Sequence, residues 1–138
     1  MARILCLDIG GKRTGVAVTD ALKIIATGLD TIEAKDLIPF LKKYIAAEPV
    51  ELILVGMPLN LDGSSTHATP LVEAKIAEIR KSFPSIPVDT LDERFTSRMA
   101  KQAMLQMGLK KKERRDKKLV DEIAATMMLQ EYLQSLNS

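Results

Sequence analysis

Arg3-Ile4-Leu5-Cys6-Leu7-Asp8-Ile9-Gly10-Gly11-Lys12-Arg13-Thr14-Gly15-Val16-Ala17-Val18-Thr19 decides the fold. Residues 3–8 form a run that is apolar on both faces until it stops at Asp8, the pattern of a central buried strand. Gly10-Gly11-Lys12-Arg13 carries turn chemistry. Gly15 to Thr19 reads as a second strand folding back on the first. A charge at the end of a buried strand is expensive without a partner, so Asp8 is the first residue for which a chemical role is expected. Gly10, Gly11 and Gly15 are expected at positions with positive φ or with little room for a side chain. The Gly10–Gly15 spacing is not a Walker A loop, because Val16 stands where the lysine belongs.

Residues 25–32 are expected to form a third strand. Leu37, Phe40, Leu41, Tyr44 and Ile45 then recur at helical spacing behind Asp36 and stop at Pro49. Leu52 to Val55 is a second fully apolar strand, closed by Gly56. Met57–Pro70 is rich in turn residues, with Asn60, Asp62 and Ser64 among them. Leu71 to Ile79 suggests a helix ending near Phe83-Pro84, and Pro87–Leu91 a short strand. A helix capped by Thr96 or Ser97 and ended at Gly108 follows. The final helix is expected over 119–136, with Leu119, Val120, Ile123, Ala124, Met127, Met128 and Tyr132 on its apolar face. This order implies an α/β fold with a mixed five-stranded sheet, an N-terminal antiparallel hairpin and flanking helices. The expected organisation is a single domain over residues 1–138.

The composition suits a globular core, with 46% hydrophobic and 28% charged residues in 138. The single cysteine, Cys6, sits in an apolar run and reads as an inert buried thiol. A structural zinc site has no ligand pattern here. No signal peptide or membrane span is evident, so a cytoplasmic protein is expected. The net charge is only +2, yet residues 110–118 hold seven basic and two acidic residues, which leaves the remainder net negative. Such concentration is the footprint of a polyanion partner. With aromatic residues at 4% and no tryptophan, recognition of backbone or shape is expected over base stacking.

Sites in open α/β sheets form beyond the carboxyl ends of strands. Asp8 ends the first strand and Glu93 follows the last; if these strands are parallel, both emerge at one edge. Asp121 is expected in the first turn of the final helix, so three carboxylates can converge. Held close, they call for a counter-cation, and Mg2+ or Mn2+ fits oxygen donors. Two such ions about 3.5–4 Å apart would support phosphodiester hydrolysis by water. Bland readings remain: Glu93 can pair with Arg94, and Asp121 can merely complement a helix N-terminus. Glu122, a hundred degrees around the helix, is the weaker ligand candidate. Ala124 and Ala125 would let this helix approach the sheet. Lys12 and Arg13 are candidate phosphate contacts, as are Asn60, Arg94 and the basic Lys110, Lys111, Lys112, Arg114 and Arg115. The alternative is a solvated turn or loop for the basic residues, turn formation for Asn60 and a pair with Asp92 or Glu93 for Arg94. His67 reads as a solvated loop histidine, and Phe95 and Tyr132 as packing residues.

Four segments carry a resemblance. Leu7–Ala17, Val55–Ser64, Asp92–Ser97 and Val120–Ala125 with Leu129–Leu133 resemble, in order, the motifs of the YqgF/RuvX family, and together they span nearly the whole chain. The resemblance implies a ribonuclease H-like fold and Asp8, Glu93 and Asp121 as acidic active-site and metal-binding residues. It also implies a nuclease acting in 5′-end maturation of pre-16S ribosomal RNA, or a Holliday-junction resolvase. Phe95 stands where leucine is expected, and Ser65 to Pro70 follows Gly63-Ser64 where a basic residue is expected. The competing functions are a non-catalytic nucleic-acid-binding module in ribosome assembly or transcription, and an actin-like sugar kinase or ATPase. Chain length argues against the kinase. Pre-rRNA is the favoured partner and branched DNA the alternative, with the chain a monomer or weak homodimer.

Overall fold

The computed structural model describes residues 2–58, 66–92 and 117–136. Its sheet has the order β3-β2-β1-β4-β5, with β1 (Arg3–Ile9) at the centre, β2 (Arg13–Thr19) and β3 (Ala26–Glu33) on one side, and β4 (Val50–Met57) and β5 (Val88–Asp92) on the other. β1, β2 and β3 pair antiparallel, whereas β1, β4 and β5 are mutually parallel. The carboxyl ends of β1, β4 and β5 therefore share one sheet edge, the condition on which a joint carboxylate site depended.

Alternation along β1 divides the core. Leu5, Leu7 and Ile9 face one side, with Val16, Val18, Ile53 and Val55. That side is covered by Leu37 and Leu41 of helix α1 (Leu37–Ala47) and by Val72, Ile76 and Ile79 of helix α2 (Thr69–Ser82). Ile4 and Cys6 face the other side with Ala17 and Leu54, beneath Ala125, Met128, Leu129 and Leu133 of helix α3 (Lys117–Leu136). Cys6 is fully buried, as its apolar neighbours imply. Burial on both faces explains why β1 is continuously apolar.

The differences from expectation are local and have physical causes. β2 begins at Arg13 rather than Gly15, because the ladder to β3 already runs from the Arg13–Glu33 pair. The turn is closed by the Gly10 N–H donating to the Arg13 carbonyl at 2.8 Å. α2 begins at Thr69, two residues early. Pro70 opens the helix with its φ already set. The Thr69 hydroxyl donates to the Pro58 carbonyl at 2.7 Å, tying the helix start to the end of β4. In β3 one extra residue, Leu29, is accommodated where Ala17 pairs with Gly28 and Val16 with Asp30. The expected helix between Thr96 and Gly108 lies outside the described residues.

α3 differs in two ways that matter for the site. It is already helical at Lys117, two residues before the expected start, so the last two lysines of the basic segment belong to it. Its sheet-facing stripe is Ala125, Met128, Leu129 and Leu133, with Tyr132 packed alongside. This is turned one position from the expected stripe on Ile123 and Met127, both only partly buried. Asp121 stands four residues before Ala125, so it heads the stripe that faces the sheet.

Candidate active site

Asp8 is the penultimate residue of β1 and shares the parity of Ile4 and Cys6, so it belongs to the face covered by α3. Its partner across the antiparallel ladder is Gly15. An ideal Cβ on Gly15 would lie 2.1 Å from the Asp121 carbonyl oxygen, 2.5 Å from its carbon and 3.1 Å from the Glu122 nitrogen. The backbone of α3 therefore rests on the bare Cα of Gly15 at Asp121, beside Asp8. Gly15 thus meets its expectation as a position with no room for a side chain. Gly10 is tight as well, its Cβ falling 3.0 Å from the Arg13 carbonyl, whereas Gly11 has open space and no positive φ.

A second glycine lets α3 approach β3 closely. A Cβ on Gly28 of β3 would meet Glu122 Oε1 at 2.6 Å and the Thr126 hydroxyl at 3.0 Å. Consecutive residues on α3 thus go to different strands: Asp121 over β2 next to β1, and Glu122 over β3. That separation agrees with the weaker standing of Glu122 as a ligand. Ala124 and Ala125 are both buried, as a close helix–sheet contact needs, but Gly15 and Gly28 are where the approach is closest.

α3 is already helical at Lys117, so Asp121 lies beyond its first turn. Helix-dipole stabilisation fades beyond the first turn, so the bland reading of Asp121 loses its physical basis. The partner that the sequence did not reveal is Arg13: its Nε lies 3.4 Å from Asp121 Oδ2, the two side chains 25% and 28% exposed. A guanidinium thus neutralises part of the negative charge at this edge. Lys12, at the turn tip, is exposed. Of the other sequence candidates, Asn60, Glu93, Arg94, Lys110, Lys111, Lys112, Arg114 and Arg115 lie outside the described residues. His67 is exposed, and Tyr132 packs against the α3 core.

Among the described residues no cluster of three or more His, Cys, Asp or Glu side chains could hold a metal ion. Asp8 and Asp121 are both brought to the shared edge by described elements. Carboxylate oxygens are the donor type that suits hard divalent cations. The arginine held against Asp121 is consistent with a place where positive charge is stabilised.

Comparison with known proteins places this geometry in context. The chain is 53% identical over 133 residues to a protein of Christiangramia forsetii, covering 96% of this chain and 98% of that one. It is 52% identical over 135 residues to a protein of Phocaeicola vulgatus, covering 98% and 97%. Both carry the name "Putative pre-16S rRNA nuclease". Among solved structures, Fowlpox virus resolvase in complex with Holliday junction DNA superposes with a TM-score of 0.62 at 13% identity, covering 99% of each chain. T. thermophilus RuvC with a Holliday junction substrate gives 0.60 at 14% identity, covering 100% and 97%. These likenesses show the fold, a ribonuclease H-like mixed sheet with flanking helices. The family model described as "RuvX: Holliday junction resolvase" matches residues 2–135, and the chain belongs to that RuvX family.

Proposed function

We propose that this protein is a metal-dependent endonuclease that hydrolyses phosphodiester bonds of nucleic acid, acting in the cytoplasm on the 5′ end of pre-16S ribosomal RNA. The observation that carries the reading is the seating of Asp121 on Gly15, the ladder partner of Asp8. It supports a joint site for two residues 113 positions apart in the sequence. Family membership and the names of the close relatives support the reaction class and the substrate.

In this reading Asp8, Glu93 and Asp121 are the catalytic carboxylates and would hold Mg2+ or Mn2+. β5 brings the chain to the shared edge at Asp92, one residue before Glu93. When bound, the cation supplies Lewis acidity toward a phosphoryl oxygen and charge neutralisation. Asp8 and Asp121 would orient it from a strand and a helix, the kind of support a reacting geometry needs. Arg13 is placed to exchange its Asp121 contact for a substrate phosphate, where its fork can bind two oxygens. Lys12, Asn60, Arg94, Lys110, Lys111, Lys112, Arg114 and Arg115 complete the proposed substrate contacts. Residues 1–138 act as one domain in this account, as a monomer or weak homodimer. No helix among the described residues is long and apolar enough to cross a membrane.

The test is cleavage by purified protein with Mg2+ or Mn2+, on a 5′-extended ribosomal RNA precursor and on a four-way DNA junction, with Asp8→Asn alongside. Metal-dependent cutting of the precursor, lost in Asp8→Asn, is expected. Preferential cutting of the junction would move the proposal to DNA resolution. Binding of either substrate without cutting would replace it with a non-catalytic binding module.

A further inference from the structure

We propose that the depression between the β1–β2 turn and the β3–α1 turn is a separate subsite for a nucleic-acid phosphate, formed by Lys35 together with Lys12. The proposal rests on the nuclease reading above and extends it to the path of the substrate strand. The depression is lined by Lys12, Arg13, Glu33, Ala34 and Lys35. Three of the five are cations, one is an anion and none is aromatic, so its chemistry suits a phosphodiester backbone and not a base.

The two turns that make the depression are locked together: the Ala34 N–H donates to the Lys12 carbonyl at 2.9 Å. Arg13 and Glu33 stand opposite one another in the β2–β3 ladder. Arg13 is drawn inward to Asp121 at 3.4 Å, and Lys35 lies 3.5 Å from Glu33. Positive charge therefore runs outward from the carboxylate edge, from Arg13 to Lys12 and Lys35, toward the β3 side. The Lys35–Glu33 pair is highly exposed, at 77% and 62%. Such a pair adds little stability, so Lys35 can leave Glu33 for a phosphate at small cost. The depression on the β5 side contrasts with this: among its described lining residues Leu91, Met128, Glu131, Tyr132 and Ser135, the one charge is negative.

The test measures equilibrium binding of a fluorescently labelled single-stranded RNA by anisotropy across a salt series. It uses the full chain carrying Asp8→Asn, with Mg2+ present, so that no turnover intervenes. Removing one phosphate contact lowers the slope of log K against log salt by about 0.7 for a single strand, which corresponds to roughly fivefold weaker binding at 0.1 M. Lys35→Ala is expected to show both changes, and Glu33→Gln is expected to tighten binding by freeing Lys35. Lys81→Ala, on the exposed face of α2, is the control and is expected to change neither. An unchanged slope in Lys35→Ala, or an equal loss in Lys81→Ala, overturns the subsite and leaves the nuclease reading standing. A folded Asp8→Asn parent that binds neither the RNA nor a four-way junction overturns the nuclease reading and the subsite with it.

Discussion

Replacing Gly15 by alanine sets a Cβ 2.1 Å from the Asp121 carbonyl oxygen. Ordinary contact begins at 3.4 Å, so α3 must withdraw from β2 by at least 1.3 Å at this point. Both sides of the clash are backbone, and no rotamer change relieves it. Overpacking of a core contact costs about 1–3 kcal/mol, and the absence of a side-chain escape puts this case near the upper figure. For a chain of this size that lowers the melting temperature by roughly 10 °C. The same withdrawal carries Asp121 away from Asp8, and a misplacement on the order of 1 Å can reduce a rate about 100-fold. Two glycines calibrate the result. Gly28→Ala meets mainly the Glu122 side chain, which can move, and is expected to be milder. Gly11→Ala meets nothing within 4 Å and is expected to be neutral or slightly stabilising. The assays are calorimetric melting and single-turnover cleavage at a temperature where all variants are folded. Gly15→Ala melting and cutting like the parent would refute the close seating of α3. A lowered melting temperature with an unchanged rate would refute the placement of Asp121 in the site.

Arg13→Gln removes the cation beside Asp121, and two outcomes are expected. Mn2+ affinity without substrate, read by electron paramagnetic resonance, should rise several-fold, while RNA affinity falls; the partly exposed pair accounts for no more than about 1 kcal/mol of stability. Weaker Mn2+ binding would mean that Arg13 is needed to hold Asp121 in place. Asp20 organises the β2–β3 turn by accepting the N–H groups of Ile24 and Ile25 at 2.7 and 3.0 Å. The Ile25 bond first, then that of Ile24, holds its carboxyl below the ordinary value of 3.8. A carboxyl lowered by folding adds stability above its unfolded pKa and loses it as pH falls through the folded value. Asp20→Ala should therefore lower the urea midpoint at neutral pH, and the gap from the parent should shrink in acid well below 3.8. A gap independent of pH would assign the effect to turn packing instead of to the carboxylate.

The architecture was legible because its signals are local. A doubly apolar run stopped at Asp8, followed by a glycine turn and a second apolar run, specifies a buried strand and its hairpin partner. The period of 3.6 in Leu37–Ile45 and the one-sided runs that follow specify helices crossing between parallel strands. The placement of Asp8 at the site edge rests on the same kind of signal, since a charge ending a buried strand is conspicuous by itself. Lys35 left no such signal, because a lysine beside a turn looks solvated in any sequence. The Arg13–Asp121 pair spans 108 residues and depends on where α3 crosses the sheet. That crossing is set by the missing side chains of Gly15 and Gly28 and by a stripe led by Asp121, one position from where apolar spacing put it. The elements and their order are written in the sequence, because burial period and turn chemistry act over a few residues. The helix face that meets the sheet, the seating of Asp121 on Gly15 and the inward turn of Arg13 emerge in the folded chain alone. Those outcomes depend on backbone–backbone approach between segments a hundred residues apart, which no local pattern encodes.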